Sequence, residues 1–263
     1  MKQLLPFALS LVAAVAAADA LESATAASAG AAAGISEEEA ALSQVWQGKI
    51  AVGVETADGN TEKDGLNAHL EAKKLRGETV VIAAFDAVWE ENTIDDADVR
   101  TKGNAKADIN AKQRFNGFFV YGNLAGEHDG VAGIKYRLVE GVGLGTYLVD
   151  TDELKFSVEA GVAEVQEELD GLDSDDYTAY RLAERCDWIP SFANGVSFFE
   201  SASYLADFSD SDHWFSKFEA GIDIPMFAGI SMTFKGVVDR NNQPAPGKEK
   251  TDRSLVAQFG YNF

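Results

Sequence analysis

The feature that most constrains this chain is a two-residue alternation of apolar and polar side chains, recurring in runs of about ten residues, the length a tilted strand needs to cross a bilayer. Successive side chains of an extended strand point to opposite faces, so each run reads as a strand with one apolar and one polar side. Trp46, Gly48, Ile50, Val52 and Val54 share one face, and Gln47, Lys49, Ala51, Gly53 and Glu55 the other. The same alternation returns at 153–162, 217–224, 230–239 and 254–263. A soluble sandwich also alternates, but its strands average about 5–6 residues. The links alternate too. Arg76-Gly77, Asn116-Gly117, 150–152 and 225–229 are short, whereas 91–99, 127–133, 168–176, 208–212 and 242–249 are polar, mostly longer and often acidic. Short turns at one end and longer loops at the other are the arrangement of an outer-membrane barrel.

The expected fold is therefore all-β: an antiparallel up-and-down transmembrane β-barrel of about 12 strands, with both termini in the periplasm. The stretch 80–130 is the least regular and leaves the count open by two. Closure removes sheet edges and satisfies every backbone polar group within the bilayer.

The chain's start fits this destination. Lys2, the apolar run from Leu4 to Ala18 and the small residues Ala18-Asp19-Ala20 read as a cleaved signal peptide over 1–20. Residues 21–44 are alanine-rich and lack a clear apolar face, so they read as a mobile periplasmic segment. The barrel is expected over 45–263. No later window is apolar enough for a spanning helix. The net charge of −21 argues against nucleic acid, and the lone Cys186 cannot form an intramolecular disulfide. Phe259, Tyr261 and Phe263 alternate to the last residue, which reads as the C-terminal signal for the outer-membrane assembly machinery.

The blocks WQGKIAVGVETADGNTEK, YRLVEGVGLGTYLVDTDELKFSVEAG and PAPGKEKTDRSLVAQFGYNF, in this order, resemble the family of salt-induced outer-membrane β-barrel proteins, whose function is largely unassigned. The resemblance runs from about Trp46 to Phe263. It implies a barrel in the bacterial outer membrane and supplies no catalytic residues.

Candidate chemistry is sparse. Gly141, Gly143 and Gly145 spell G-x-G-x-G, but on one face of an expected strand, where glycine serves a bend or close approach rather than phosphate. The acidic stretches 58–65 and 170–176 lack the calcium-loop pattern and read as solvated hairpin loops. His213 beside Ser209 and Ser211, or His128 with Asp129, would have to carry a rim-site hydrolase. His213 has no evident orienting partner beyond Asp210 and Asp212, and His128-Asp129 sits at a suitable end but fits loosely, so no catalytic, metal or cofactor residues are expected. The polar face supplies lumen-lining candidates: Lys49, Glu55, His69, Glu71, Lys73, Lys106, Asp108, Lys112, Lys155, Glu159, Arg181, Arg185, Lys217, Glu219, Lys235 and Asp239. Such charges either neutralise each other and fill the lumen, the favoured reading, or line a narrow pore. Glu140 shares parity with Leu138, Val142 and Leu144, so it either sits at the outer interface or is turned inward by a bulge.

The expected function is a non-enzymatic envelope barrel, a narrow diffusion channel. The alternatives are a structural or adhesive barrel acting through acidic loops, and a rim-site hydrolase. Membrane lipid and the assembly machinery are the expected partners, and a monomer the expected state.

Overall fold

The computed structural model describes residues 46–59, 63–76, 79–94, 98–115 and 117–263. The readings of 1–20 and 21–44 lie outside the described residues. Twelve strands follow in chain order: β1 (Gln47–Asp58), β2 (Lys63–Arg76), β3 (Thr79–Ile94), β4 (Asp98–Phe115), β5 (Phe118–Asp129), β6 (Ile134–Asp150), β7 (Leu154–Leu169), β8 (Asp175–Trp188), β9 (Ser197–Asp207), β10 (Trp214–Pro225), β11 (Ile230–Asn241) and β12 (Thr251–Asn262). Each pairs antiparallel with its chain neighbours, and β12 pairs with β1 to close the barrel. The stretch 80–130, ambiguous in sequence, holds the longest strand, β4, with 18 residues.

Closure is sealed at the chain ends. Gly48 and Phe263 exchange two backbone hydrogen bonds of 2.9 Å, continuing the β1–β12 ladder to the last residue. An even strand number puts both barrel ends of the chain on one rim, called here the lower rim. The short links lie there. In the β10–β11 link, Ala228 and Gly229 both take positive φ (51° and 80°), the signature of a type I′ turn, with Ile230 N–H donating to the Phe227 carbonyl. The β8–β9 link is the exception at this rim, with a short 3-10 turn at Ser191–Ala193.

The alternation becomes an inside-out barrel. The apolar face points outward: Val52 is 61% exposed, Leu66 64% and Phe259 54%. The polar face points inward, with Asn67, Ser157, Ser231, Thr233 and Gln258 all buried. In water such an exterior would cost about 25 cal/mol per Å² of apolar surface. In lipid it costs nothing. Aromatic girdles bound the apolar band. Trp188, Phe192 and Phe198 cluster toward the lower rim, and Tyr180, Tyr204, Phe208 and Trp214 toward the upper. On β8 the girdle residues Tyr180 and Trp188 are eight residues apart, about 26 Å along the strand and about 20 Å along the axis at a tilt near 40°. Two carboxylates, Glu184 and Glu200, interrupt the outer face between the girdles, flanking Cys186.

Inside, a small-residue track takes two large rings. Gly141, Gly143 and Gly145 face inward opposite Asn123, Tyr121 and Phe119 of β5. Phe119 is fully buried, and a Cβ on Gly145 would fall well under 3.0 Å from its ring. A Cβ on Gly143 would meet the Tyr121 hydroxyl at 2.6 Å and the Gly161 Cα at 2.7 Å. The G-x-G-x-G string is a berth for aromatic side chains.

Above Val142 and Val162 the two faces exchange character. Outside stand Glu140 and, opposite it, Glu164, whose carboxylate accepts from Thr178 Oγ1 at 2.9 Å. Inside stand Val165, Tyr177 and Ala179, packed with Val139, Leu205 and Phe215. The register is continuous at Glu140; β6 is irregular only between Ile134 and Tyr136 and between Tyr147 and Val149. Glu140 therefore keeps its outward parity, where the strand rises out of the apolar band.

Candidate functional site

Among the described residues, the polar groups of the lumen are organised in three tiers. At the lower rim, the Lys49 ammonium meets the Asp223 carboxylate and donates to Thr233 Oγ1 at 2.6 Å. Thr233 in turn donates to Asp223 at 2.6 Å. Lys49 and Asp223 come from β1 and β10, so this contact spans two intervening strands.

The middle tier is a set of cross-braces. Lys112 of β4 and Arg181 of β8 share Glu159 of β7, at 2.6 and 2.8 Å. The Arg181 guanidinium also sits 5.0 Å from the centre of the Tyr121 ring. His69 Nδ1 lies 2.9 Å from Asp86, Asn67 donates to Glu55 at 3.2 Å, and Gln258 donates to Asn67. Lys235 and Lys217 approach Glu219 at 3.4 and 4.0 Å. Arg185 grips Asp187 of its own strand through two bonds of 2.8 Å.

The upper tier is the tightest. Arg137 lies between Glu127 at 3.1 Å and Glu167 at 2.9 Å, with its guanidinium 3.8 Å from the centre of the Phe215 ring. His213 Nε2 meets the other Glu167 oxygen at 3.1 Å, and its Nδ1 faces Asp207 at 3.8 Å. The His213 ring packs on Tyr177 at 4.4 Å. Its hydrogen bond to Glu167 holds the imidazolium above the ordinary histidine range, against the burial that lowers it. Beneath lies a cavity of about 260 Å³, lined among others by Arg137, Arg181, Lys217, Asp239, Leu205 and Phe215. The β11–β12 loop covers this end. Ala245 is buried against Ile134 and Leu169, and Lys248 donates to the Val131 carbonyl.

The structure places most of the expected lining residues on the inner wall. Lys49, Glu55, His69, Lys112, Glu159, Arg181, Arg185, Lys217, Glu219 and Lys235 enter the contacts above. Glu71 pairs in register with Lys49, and Asp239 with Lys217. Lys155 sits at the lower rim and pairs with Asp150 at 2.8 Å. Lys106 and Asp108 take the register positions opposite Asp86 and Ala84; their side chains lie outside the described residues. The expected lining set leaves out Asp86, Glu127, Arg137, Glu167, Asp207 and Asp223, although Asp223 stands on the polar face of the run 217–224 and Glu127 opens the polar link 127–133. Parity with an apolar neighbour such as Phe85 or Ile222 would have found Asp86 and Asp223. Glu127, Arg137 and Glu167 lie where the interior has turned partly apolar, which hides the signal.

Neither histidine proposed for hydrolysis is placed for it. Both ring nitrogens of His213 face carboxylates, and Ser209 Oγ donates to Asp207 at 2.8 Å. His128 Nδ1 pairs with the Lys135 carbonyl at 2.7 Å, while Asp129 caps the backbone N–H groups of Val131 and Ala132 at 2.8 Å. A base needs a nucleophile within hydrogen-bond reach, and the contacts of these residues go elsewhere.

Residues 50–263 match the family model described as "Protein of unknown function, DUF481". No curated protein matches the chain. Among solved structures, the NanC porin in its rhombohedral crystal form superposes with a TM-score of 0.52 at 11% identity, covering 81% of this chain and 100% of that one. The translocator domain of the autotransporter NalP from Neisseria meningitidis gives 0.48 at 13% identity, covering 95% and 97%. The KdgM porin in complex with disordered oligogalacturonate gives 0.44 at 10%, covering 82% and 99%. The NanC likeness shows a porin-like barrel fold.

Proposed function

The chain belongs to the DUF481 family, and we propose that it is a non-enzymatic barrel of the bacterial outer membrane that works as a narrow diffusion channel. The observation that carries this reading is the charged inner wall, which runs through all three tiers and keeps part of its charge in contact with solvent. Arg185 and Lys217 retain 52% and 43% of their side-chain exposure. Ion pairs are an inefficient way to fill a dry core, because well-packed apolar residues of similar volume are often as stable or more so. Charges that keep water instead suit a hydrated, weakly selective path. The cross-braces narrow that path, which includes the cavity of about 260 Å³.

The location rests on the apolar exterior and its two aromatic girdles, which suit a bilayer. It implies export by a cleaved signal, a periplasmic lower rim, and assembly through Phe259, Tyr261 and Phe263, all of which are exposed on the outer face. The barrel is a monomer in this reading. The resemblance to the salt-induced type supports the expectation that the protein accumulates after a rise in external salt, which immunoblotting would show. The channel reading is tested by planar-bilayer conductance of the refolded barrel.

One observation favours a second reading. The β11–β12 loop packs across the mouth with Ala245 buried, giving the upper rim a fixed surface. An envelope barrel that acts by presenting this surface would insert and carry no current.

A further inference from the structure

We propose that His213 is a proton-operated latch that holds the β9–β10 loop against the inner wall at the upper mouth of the barrel. The loop spans residues 208–213, between β9 and β10, and turns back through two backbone hydrogen bonds. Asp207 N–H donates to the His213 carbonyl at 3.0 Å, and His213 N–H donates to the Asp210 carbonyl at 3.0 Å. Its buried side-chain anchor is His213, beside two exposed ties from the β11–β12 loop: Asn242 donates to the Asp212 carbonyl at 2.7 Å and Gln243 to Asp210 at 3.0 Å. The ring is 7% exposed, reaches inward from the loop, and joins two walls: Glu167 on β7 and Asp207 at the end of β9.

The surroundings make the ring's charge decisive. The groups that face it are Glu167 of β7, Tyr177 and Asp175 of β8, Asp207 of β9, Asp210 of the loop and Phe215 of β10. Behind Glu167 lie Arg137 of β6 and Glu127 of β5. Arg137 is one permanent cation beside this group, paired with Glu127 and Glu167. A protonated His213 adds a further positive charge. It donates to Glu167 and offers its other N–H toward Asp207. The neutral ring keeps one donor, so its second nitrogen turns a lone pair on a carboxylate. Beside Glu167 and Asp207, the local negative charge then rises by one. Loss of the proton thus removes a tie and adds repulsion between loop and wall. Release is the expected result.

The latch stands directly over the lumen. Arg137 and Phe215, which touch Glu167 and His213, also line the cavity below. A loop held down would narrow the mouth, and a loop released would widen it. That effect on flow rests on the channel reading; the latch itself does not.

Hydrogen exchange on the full barrel in lipid vesicles tests the latch. After correction for the intrinsic rate, the amides of Asp207, Phe208 and His213 should exchange at least about fivefold faster near pH 9 than near pH 5. His213→Gln keeps a neutral donor but never charges, so it should exchange fast at both. Asp207→Asn removes one carboxylate and should move the release to lower pH. Equal protection at the two pH values in the unaltered protein would overturn the proposal, as would a His213→Gln barrel that keeps the original pH profile. Conductance on the same samples addresses the channel separately. Current that rises with loop release supports both, whereas release without current keeps the latch and removes the channel.

Discussion

Replacing Gly145 by alanine should destabilise the barrel chiefly through its contact with the Phe119 ring, the Val158 carbonyl lying next at 2.9 Å from the added Cβ. The added Cβ would fall well under 3.0 Å from the Phe119 ring, which is fully buried and has no solvent side to move into. Overpacking of this kind costs about 1–3 kcal/mol. The reduced entropy of the unfolded alanine chain returns about 0.5 kcal/mol. A net loss of about 1.5 kcal/mol is expected. Phe119→Leu alone should cost about 1.5 kcal/mol by leaving a cavity. If the two changes were independent they would sum to about 3 kcal/mol; if the smaller side chain makes room for the Cβ, only the entropy gain of alanine remains beside the cavity cost and the double variant should lose about 1 kcal/mol, a coupling of about 2 kcal/mol. Gly122 supplies the control. It faces outward, with nothing within 4 Å of an added Cβ, so Gly122→Ala should be neutral or slightly stabilising. Urea unfolding in lipid vesicles, followed by tryptophan fluorescence, measures all four variants. Additive losses, or a Gly145→Ala barrel as stable as the original, would refute the packing of glycine track against aromatic ring.

Other expectations follow from the same contacts. Glu159→Gln leaves Lys112 and Arg181 facing each other without their shared carboxylate, and should cost about 2–3 kcal/mol in the same unfolding measurement. Glu184→Leu puts an apolar side chain between the girdles and should stabilise the barrel by about 1 kcal/mol in vesicles; a destabilised variant would put that stretch of β8 outside lipid. The raised titration of His213 sets a pH dependence. The histidine's contribution to stability should be fully present below its unfolded value near 6.5 and lost as pH rises through its higher folded value. His213→Gln should flatten that part of a stability–pH curve. Removing Phe263 deletes the two backbone hydrogen bonds to Gly48 and should lower the folded yield in the outer membrane, read by protease protection in cells.

Much of the fold was legible because a barrel wall has few ways to satisfy a period of two. Ile50, Val52 and Val54 could only share a face, and a ten-residue run of them suits a bilayer better than a small core. The strand number followed from counting hairpins. Legibility failed where the physical environment changes along a single strand. On β6 to β8 the apolar face lies outside below Val142 and Val162 and partly inside above them, so Glu140 looked anomalous. Its position is ordinary once the strand is seen to rise out of the apolar band. The same inversion concealed Glu127, Arg137 and Glu167, which meet in the upper lumen only through closure of the sheet. The pairing of Lys49 with Asp223, and of Lys112 and Arg181 with Glu159, depends on which walls face each other across the barrel. Strand parity fixes which side a residue takes and is silent about what stands opposite. Gly143 and Gly145 were legible as sites of close approach; the rings of Tyr121 and Phe119 that fill the space were not.

The most direct test of the account is single-channel recording from the refolded barrel in a planar bilayer. The account predicts discrete, small current steps, with ion preference displaced toward cations in Lys217→Glu. A barrel that inserts with its folded structure intact and carries no current, before and after that substitution, would contradict it.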